Sequence, residues 1–143
     1  MATPKGHTIK LVRDLMHIGV ITCQADMPLV DAVAILLREN LESLIVLDEN
    51  GHAVGLLGRR EAVLAYGRSG ATSRCCESST IADVMRPEIP EIPADIPAAA
   101  AAQIMLDQGV RDLYLLHHDS GISWPAAVFR FEDVLRDIVE NVG

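Results

Sequence analysis

The sequence predicts an α+β fold made of two copies of one unit, each with the order helix, strand, helix, strand, strand, helix. The first observation is a repeat, because Asp14-Leu15-Met16 returns as Asp83-Val84-Met85, 69 residues later. The second is that the same offset aligns residues 25–28 with 94–97. The third is that helical spacing alternates with short apolar runs typical of strands. A register kept over such a distance indicates a duplicated unit.

The first copy begins with a predicted short helix over residues 9–16 and an extended segment at 20–22. Asp26 followed by Pro28 is a helix start signal, so we expect a helix over about 27–40 with Asp26 at its N-cap. Its buried stripe is predicted from apolar residues at helical spacing, which are Leu29, Val33, Leu36 and Leu37.

A hairpin and a helix complete the first copy. Residues 43–47 and 53–57 are short apolar runs joined by a turn that contains Asn50-Gly51, a strong hairpin signal. A helix is predicted from Arg59 to about Tyr66.

The second copy repeats this order, with predicted strands near 112–117 and 125–129 and a helix over 131–140. Beyond the central strands the offset grows to 72, so we expect an inserted surface turn within 119–125. The last helix is predicted to bury its apolar side chains, which are Phe131, Val134, Leu135 and Ile138.

The predicted organisation is a tail at 1–8, a first repeat at 9–66, a linker at 67–79 and a second repeat at 80–143. The linker is rich in Gly, Ser and Thr and has no hydrophobic period. Because a half of this size buries too little surface to be stable alone, we expect the repeats to pack through their sheets with pseudo-twofold symmetry. The alanine run 98–102 fits a helix that a neighbouring backbone approaches closely.

Composition limits the classes of function. The 143 residues are 50% hydrophobic, which is ample for a core, and carry a net charge of −8, which disfavours nucleic acids and anionic membranes. No apolar run reaches the length of a membrane span, so we expect a cytoplasmic protein. The three cysteines Cys23, Cys75 and Cys76 lack the spacing of a disulfide scaffold or a metal clamp.

Several segments together resemble the cystathionine β-synthase (CBS) domain. The first copy does so through Val12-Arg13-Asp14-Leu15-Met16, Val20-Ile21-Thr22, Asp26, residues 44–51 and Val54-Gly55-Leu56-Leu57. The second matches more loosely through residues 81–85, Asp95, 113–116, Val128 and 133–135. The resemblance implies a regulatory pair that binds AMP, ADP, ATP or S-adenosylmethionine in the cleft between the copies and signals to a partner protein. An apolar helix face on each copy favours a homodimer, and because no catalytic arrangement can be assigned from spacing, we expect no catalysis. The resemblance implies no required cofactor.

In the family, a strand enters a helix as Gly-apolar-apolar-Ser/Thr-x-x-Asp, where the hydroxyl and the helix N-terminus face phosphate and the acid binds ribose. The first copy has Gly58 at the hydroxyl position and Glu61 at the acid position. The second has Arg130 and Asp133. The same spacing is also that of a capping box, which needs no ligand.

The resemblance places adenine near residues 21–23 and their counterparts in 89–92, which gives Ile21, Thr22, Cys23, Pro90 and Ile92 as candidates. Tyr114 either stacks on the base or packs in the core. The candidate phosphate partners, whose alternative is a solvated surface position, are Arg59, Arg60, Arg111 and Arg130.

Two other functions stay open at this stage. One is a ligand-free dimerisation scaffold, in which Gly58 and Arg130 record a lost site. The other is metal-assisted hydrolysis at His117 and His118, which is disfavoured because neighbouring strand side chains point apart; we expect a turn there. Cys75-Cys76 is expected to be an incidental exposed pair.

Overall fold

The structure, a computed structural model, describes residues 9–69 and 78–141. The α+β prediction is confirmed. Along the described chain the elements are α1 (Val12–Leu15), β1 (His17–Ile18), β2 (Thr22–Gln24), α2 (Leu29–Arg38), β3 (Ser43–Leu47), β4 (Ala53–Gly58), α3 (Arg59–Arg68), α4 (Ile81–Val84), α5 (Ala98–Gln108), β5 (Asp112–Asp119), β6 (Ile122–Arg130) and α6 (Phe131–Glu140).

The described residues divide into two compact units. The terminal unit comprises residues 9–19, 90–115 and 126–141, and the central unit comprises the remainder. One three-stranded sheet has the order β1-β6-β5 and the other the order β2-β3-β4. Each unit therefore takes its leading short helix from the other sequence copy, with α1 in the terminal unit and α4 in the central unit.

Reciprocal backbone hydrogen bonds hold these exchanged segments. The Val12 N–H donates to the Ile96 carbonyl in the terminal unit, and the Ile81 N–H donates to the Met27 carbonyl in the central unit, both at 2.9 Å. The two donors lie 69 residues apart in the sequence, and so do the two acceptors. Two more pairs of backbone hydrogen bonds have the same offset. In one pair, Arg13 donates to Ala94 and Ala82 donates to Ala25. In the other, Ala98 donates to Lys10 and Leu29 donates to Ser79.

Each unit has its own apolar core, and the exchanged helix contributes a fully buried side chain to it. Val12 is 0% exposed in the terminal core, beside Met105 and Phe129. Ile81 is 0% exposed in the central core, beside Leu29 and Leu44. Burying a side chain of this size contributes about 1.5–3 kcal/mol, so neither core is complete without the other copy's leading segment.

The prediction that Asp26 caps α2 is wrong. The helix begins at Leu29, and Pro28 occupies the N-cap with extended backbone (φ −60°, ψ 140°). A residue that precedes proline is driven away from helical geometry, so Met27 lies outside the helix, where its carbonyl accepts the hydrogen bond from the Ile81 N–H. The short elements before it also differ, since α1 covers only Val12–Leu15 and the strands are His17–Ile18 and Thr22–Gln24.

Two predicted helix faces need correction. In α2 the buried residues are Leu29, Ala32 and Leu36, whereas Leu37 is 66% exposed. In α6 the bounds are as predicted, but Leu135 and Ile138 are 58% and 57% exposed. The apolar pattern correctly predicted a helix in both cases, and it did not identify which face is covered.

The second hairpin is longer than predicted. His117 and His118 lie within β5 rather than in a turn. The turn is formed by Ser120 and Gly121, which both have positive φ, as type I′ hairpins require. Residues 89–92 form no regular strand in the structure, although Glu91 makes an isolated parallel bridge with Tyr114. Helix α3 continues to Arg68 rather than ending near Tyr66.

Candidate functional site

The turn from β4 into α3 in the central unit presents the first of the two predicted motifs. The Gly58 N–H donates to the Glu61 carboxylate at 2.8 Å, so Glu61 caps the first turn of the helix. A Cβ at position 58 would lie 2.7 Å from Glu61 Oε1. With glycine at this position the Glu61 carboxylate folds back closely over the turn, and a side chain there would require the flexible end of Glu61 to shift.

The guanidinium of Arg59 is directed to the end of a neighbouring helix. Its Nε donates to the Leu41 carbonyl at 2.7 Å and its Nη2 to the Leu36 carbonyl at 3.3 Å. Carbonyl groups at a helix C-terminus attract cations, so these contacts stabilise the end of α2. Arg60, by contrast, is exposed.

The turn from β6 into α6 in the terminal unit presents the second motif. The Arg130 N–H donates to Asp133 Oδ2 at 2.8 Å, as the capping pattern predicts. Asp133 Oδ1 lies 2.5 Å from His17 Nε2 and 3.2 Å from Arg136 Nη1. Asp133 is 1% exposed, so three donors enclose this carboxylate in the described structure.

Two arginines lie near the same helix start. Arg130 Nε is buried and has no hydrogen-bond partner among the described residues. The guanidinium carbon of Arg111 lies 5.7 Å from the ring centroid of Phe131, a cation–π distance. Two predicted phosphate partners therefore lie at the start of α6, one of them with an unused buried donor.

The predicted adenine-side residues of the central unit differ in exposure. Ile21 is 39% exposed, and Thr22 pairs with Ile45 in the parallel ladder from β2 to β3. Cys23 is buried in the core and its thiol donates to the Ile45 carbonyl at 3.8 Å. Burial raises the pKa of the Cys23 thiol to about 11. Its side chain is thus a core group.

Their counterparts in the terminal unit are joined by backbone hydrogen bonds. The Tyr114 N–H donates to the Pro90 carbonyl at 2.8 Å, and the Ile92 N–H donates to the Tyr114 carbonyl at 3.0 Å. Tyr114 is 1% exposed, which favours the core-packing alternative over stacking on a base. Pro90 and Ile92 are buried as well.

Within the terminal unit the structure brings Asp133 together with two residues that sequence reasoning missed. Arg136 was detectable, because an acid and a base three residues apart on a helix are neighbours. His17 carried no such signal, because it reaches Asp133 through the pairing of β1 with β6, where His17 lies opposite Val128. That pairing is not encoded in any local pattern.

The histidines of the second hairpin do not form a recognisable metal site. The ring of His117 lies 5.6 Å from that of Trp124, and His118 Nδ1 lies 2.6 Å from Ser123 Oγ. Over residues 9–69 and 78–141, no three metal-ligating side chains come together. The Cys75-Cys76 pair lies outside the described residues. In the same ranges, every helix is too short or too polar to cross a bilayer.

Comparison with known proteins supports the duplicated organisation. The sequence profile of the CBS domain matches twice, over residues 12–68 and 81–140. No curated protein matches the sequence.

Solved structures of CBS-domain proteins are similar over nearly the whole chain. The CBS-domain-containing protein ATU1752 from Agrobacterium tumefaciens has a TM-score of 0.79 at 18% identity, covering 95% of this chain and 98% of its own. The CBS domain pair of MJ0100, solved with 5′-methylthioadenosine and S-adenosyl-L-methionine, has a TM-score of 0.75 at 21% identity, covering 93% and 98%. CBSX2, solved with AMP, has a TM-score of 0.75 at 18% identity, covering 93% and 99%.

Proposed function

Because the chain belongs to the CBS-domain family, we propose that it is a non-catalytic regulatory module that binds an adenosine-containing ligand and signals occupancy to a partner protein. The two family matches occupy residues 12–68 and 81–140, so most of the chain is accounted for by regulatory repeats. A ligand that prefers one arrangement of the chain changes the population of that arrangement, which is sufficient for signalling.

The observation that carries this proposal is the pair of acids at equivalent helix starts. Glu61 and Asp133 each accept the N–H of the residue three positions earlier, at 2.8 Å in both turns. A carboxylate held at a helix N-terminus accepts hydrogen bonds from ribose hydroxyls, while the helix N-terminus favours phosphate. Arg130 and Arg111 supply positive charge at the start of α6.

The proposed ligand class is adenosine-containing, namely AMP, ADP, ATP or S-adenosylmethionine. The ligands of the two solved relatives have adenosine in common, which supports the class and does not choose among its members. The backbone of residues 21–23 and the segment containing Pro90 and Ile92 are the proposed adenine contacts. The cytoplasmic location stays a prediction from composition.

Ligand titration by calorimetry and thermal shift tests the proposal. A ligand at 100 times its dissociation constant stabilises the folded protein by about 2.7 kcal/mol. Glu61→Gln keeps an oxygen for the Gly58 N–H and loses the carboxylate, so we expect affinity to fall about tenfold or more. Glu49→Gln, in the exposed β3–β4 turn, is the matched control and leaves affinity unchanged. Equal affinity in both variants would contradict the role of Glu61.

We also propose that the chain forms a homodimer through exposed apolar helix faces. On α6, Leu135, Ile138 and Val139 are 58%, 57% and 72% exposed. Ile138 also lines a mostly apolar groove of about 430 Å³ that α5, α6 and the segment before α1 border. Apolar helix faces of this kind usually mark association surfaces. Sedimentation equilibrium is expected to give a dimer for the natural chain and a monomer for Ile138→Asp, with Glu140→Gln as the control.

A ligand-free scaffold is the second candidate function, and two contacts favour it. Arg59 is held by the carbonyls at the end of α2, and Asp133 is enclosed by three donors. A scaffold predicts no thermal shift with any of the four ligands while the dimer persists. A shift with one of them would exclude it.

A further inference from the structure

The equivalent acids of the two copies, Asp133 and Glu61, have different hydrogen-bond partners. His17 and Arg86 are counterparts, since His17 pairs with Val128 of β6 and Arg86 bridges to Leu56 of β4. His17 Nε2 contacts Asp133, whereas Arg86 makes no hydrogen bond or ion pair with Glu61 among the described residues. Glu61 has only the Gly58 N–H as its partner there. Asp133 therefore contacts a side chain from the other sequence copy, and Glu61 does not.

The occupancy of Asp133 limits what it can bind. A carboxylate offers about four acceptor sites, and a vicinal diol such as ribose needs two of them. Three are used by the Arg130 N–H, Arg136 Nη1 and His17 Nε2. The Arg130 N–H is fixed by the backbone at the start of α6, whereas Arg136 and His17 contribute side chains that are 48% and 45% exposed and can move away without unfolding the helix. Of these two side chains, His17 makes the shorter contact, 2.5 Å against 3.2 Å. It also comes from the other sequence copy, on β1, which pairs with β6 through only two residues.

We propose that His17 is an internal ligand of Asp133 that competes with nucleotide. The contact between His17 and Asp133, which we call the latch, blocks the second-copy site, whereas the first-copy site at Glu61 is open. This inference rests on the proposed function. The Nε2–H of His17 occupies the position of a ribose hydroxyl donor, because a carboxylate only accepts hydrogen bonds. Binding at Asp133 requires this contact to break, and a site that is competent only part of the time has its apparent affinity reduced by that fraction.

The latch is tested with His17→Ala, which removes the donor, and His17→Gln, whose amide donates from a similar position. In calorimetry with AMP, we expect His17→Ala to strengthen the weaker binding event about tenfold or to add a second event per chain, corresponding to a latch closed about nine-tenths of the time. His17→Gln is expected to behave like the natural chain. Asp133→Asn removes the added event, and His52→Ala, a histidine beside Asp48, changes nothing.

Hydrogen exchange supplies a readout that does not depend on measuring an affinity. The Gly19 N–H donates to the Ala126 carbonyl at 3.1 Å, at the end of β1. We expect faster exchange at Gly19 in His17→Ala without ligand. In the natural chain, saturating AMP should have the same effect, because it displaces His17, and this measurement holds even where His17→Ala folds poorly.

The outcomes separate the latch from the proposed function. If the natural chain binds AMP and His17→Ala binds it equally or more weakly, the latch is wrong and the proposed function stands. Unchanged Gly19 exchange on saturation would also overturn the latch alone. If neither chain binds any of the four ligands, the proposed function fails and the latch fails with it.

Discussion

Gly55 lies in β4 where another segment of the central unit approaches closely. A Cβ on this residue would lie 2.7 Å from Met85 Sδ and 2.8 Å from the Arg86 carbonyl oxygen. The Met85 side chain can move, but the Arg86 carbonyl accepts a hydrogen bond from Leu56 and is fixed. A glycine is therefore required here for space rather than for backbone conformation.

Gly55→Ala is expected to lower the free energy of unfolding by about 1–3 kcal/mol, the usual cost of overpacking. Gly67→Ala is the matched control, since Gly67 lies inside α3 and no neighbouring atom is within 4 Å of the position that an alanine methyl group would take. Because Gly67 lies in the last turn of α3, alanine there should stabilise the chain by at most about 0.5–1 kcal/mol, the value for a helix interior. Urea unfolding of both variants measures the difference, and equal stabilities would contradict the packing argument.

Cys23 is expected to react slowly with alkylating reagents, because burial raises its pKa to about 11 from an ordinary value of 9.0. A rise of this size lowers the thiolate fraction about 100-fold at pH 8. Iodoacetamide labelling followed by peptide mass spectrometry reports each cysteine separately. Labelling of Cys23 in the folded chain at the rate seen in urea would show that the thiol is not protected.

At the scale of elements, one carboxylate stabilises the turn of the β3–β4 hairpin. Asp48 Oδ1 accepts the His52 and Asn50 N–H groups, both at 2.9 Å. The hydrogen bond from the His52 N–H is the main reason that the pKa of Asp48 is lowered below its ordinary 3.8. Because the folded pKa is the lower one, the stabilisation is present above pH 3.8 and is lost as pH falls through the folded value.

Asp48→Asn should therefore reduce the loss of stability that the natural chain suffers on acidification below pH 3.8. Thermal melts between about pH 2 and 6 measure this effect. Glu49→Gln, one residue later and exposed, is the control and should follow the natural chain. Parallel acid profiles for the natural chain and Asp48→Asn would refute this role.

Local patterns predicted elements well where the residues themselves decide the conformation. Strand β3 and helix α6 have the predicted bounds, since apolar runs and helical spacing are local properties. The predicted start of α2 was wrong because Pro28 disfavours helical geometry at Met27, and this local effect outweighs the capping preference of Asp26. The predicted burial of Leu135 and Ile138 was wrong because partners distant in sequence decide which side of α6 is covered. For the site, the acids at 61 and 133 were found from spacing, and the His17 contact was not.

At the scale of the whole chain, the exchange of leading segments ties the copies together. The fragment before the 70–77 segment contributes α1 and β1 to the terminal unit, and the fragment after it contributes α4 to the central unit. The repeat in the sequence shows which segments are alike. It does not show which segments pair, so this exchange was not predictable from the offset alone.

Cutting the chain between residues 69 and 78 should leave the two fragments associated. A protease site placed in residues 70–77 and then cleaved is expected to give fragments that elute together under native conditions, because Val12 and Ile81 remain buried in units built from both fragments. A chain with the same site left uncut is the control. Separate elution of two folded fragments would contradict the exchange.

The reciprocal backbone hydrogen bonds also bear on how the duplicated chain could have arisen. Each of the three bonds described above that fix a leading segment has a twin with equivalent donor and acceptor, so the pattern needs two copies of the repeat but not one continuous polypeptide. A half-length ancestor would complete both cores by intertwining with a second molecule of itself. Gene fusion then removes the dependence of that pairing on protein concentration and frees each copy to diverge, as Glu61 and Asp133 have done.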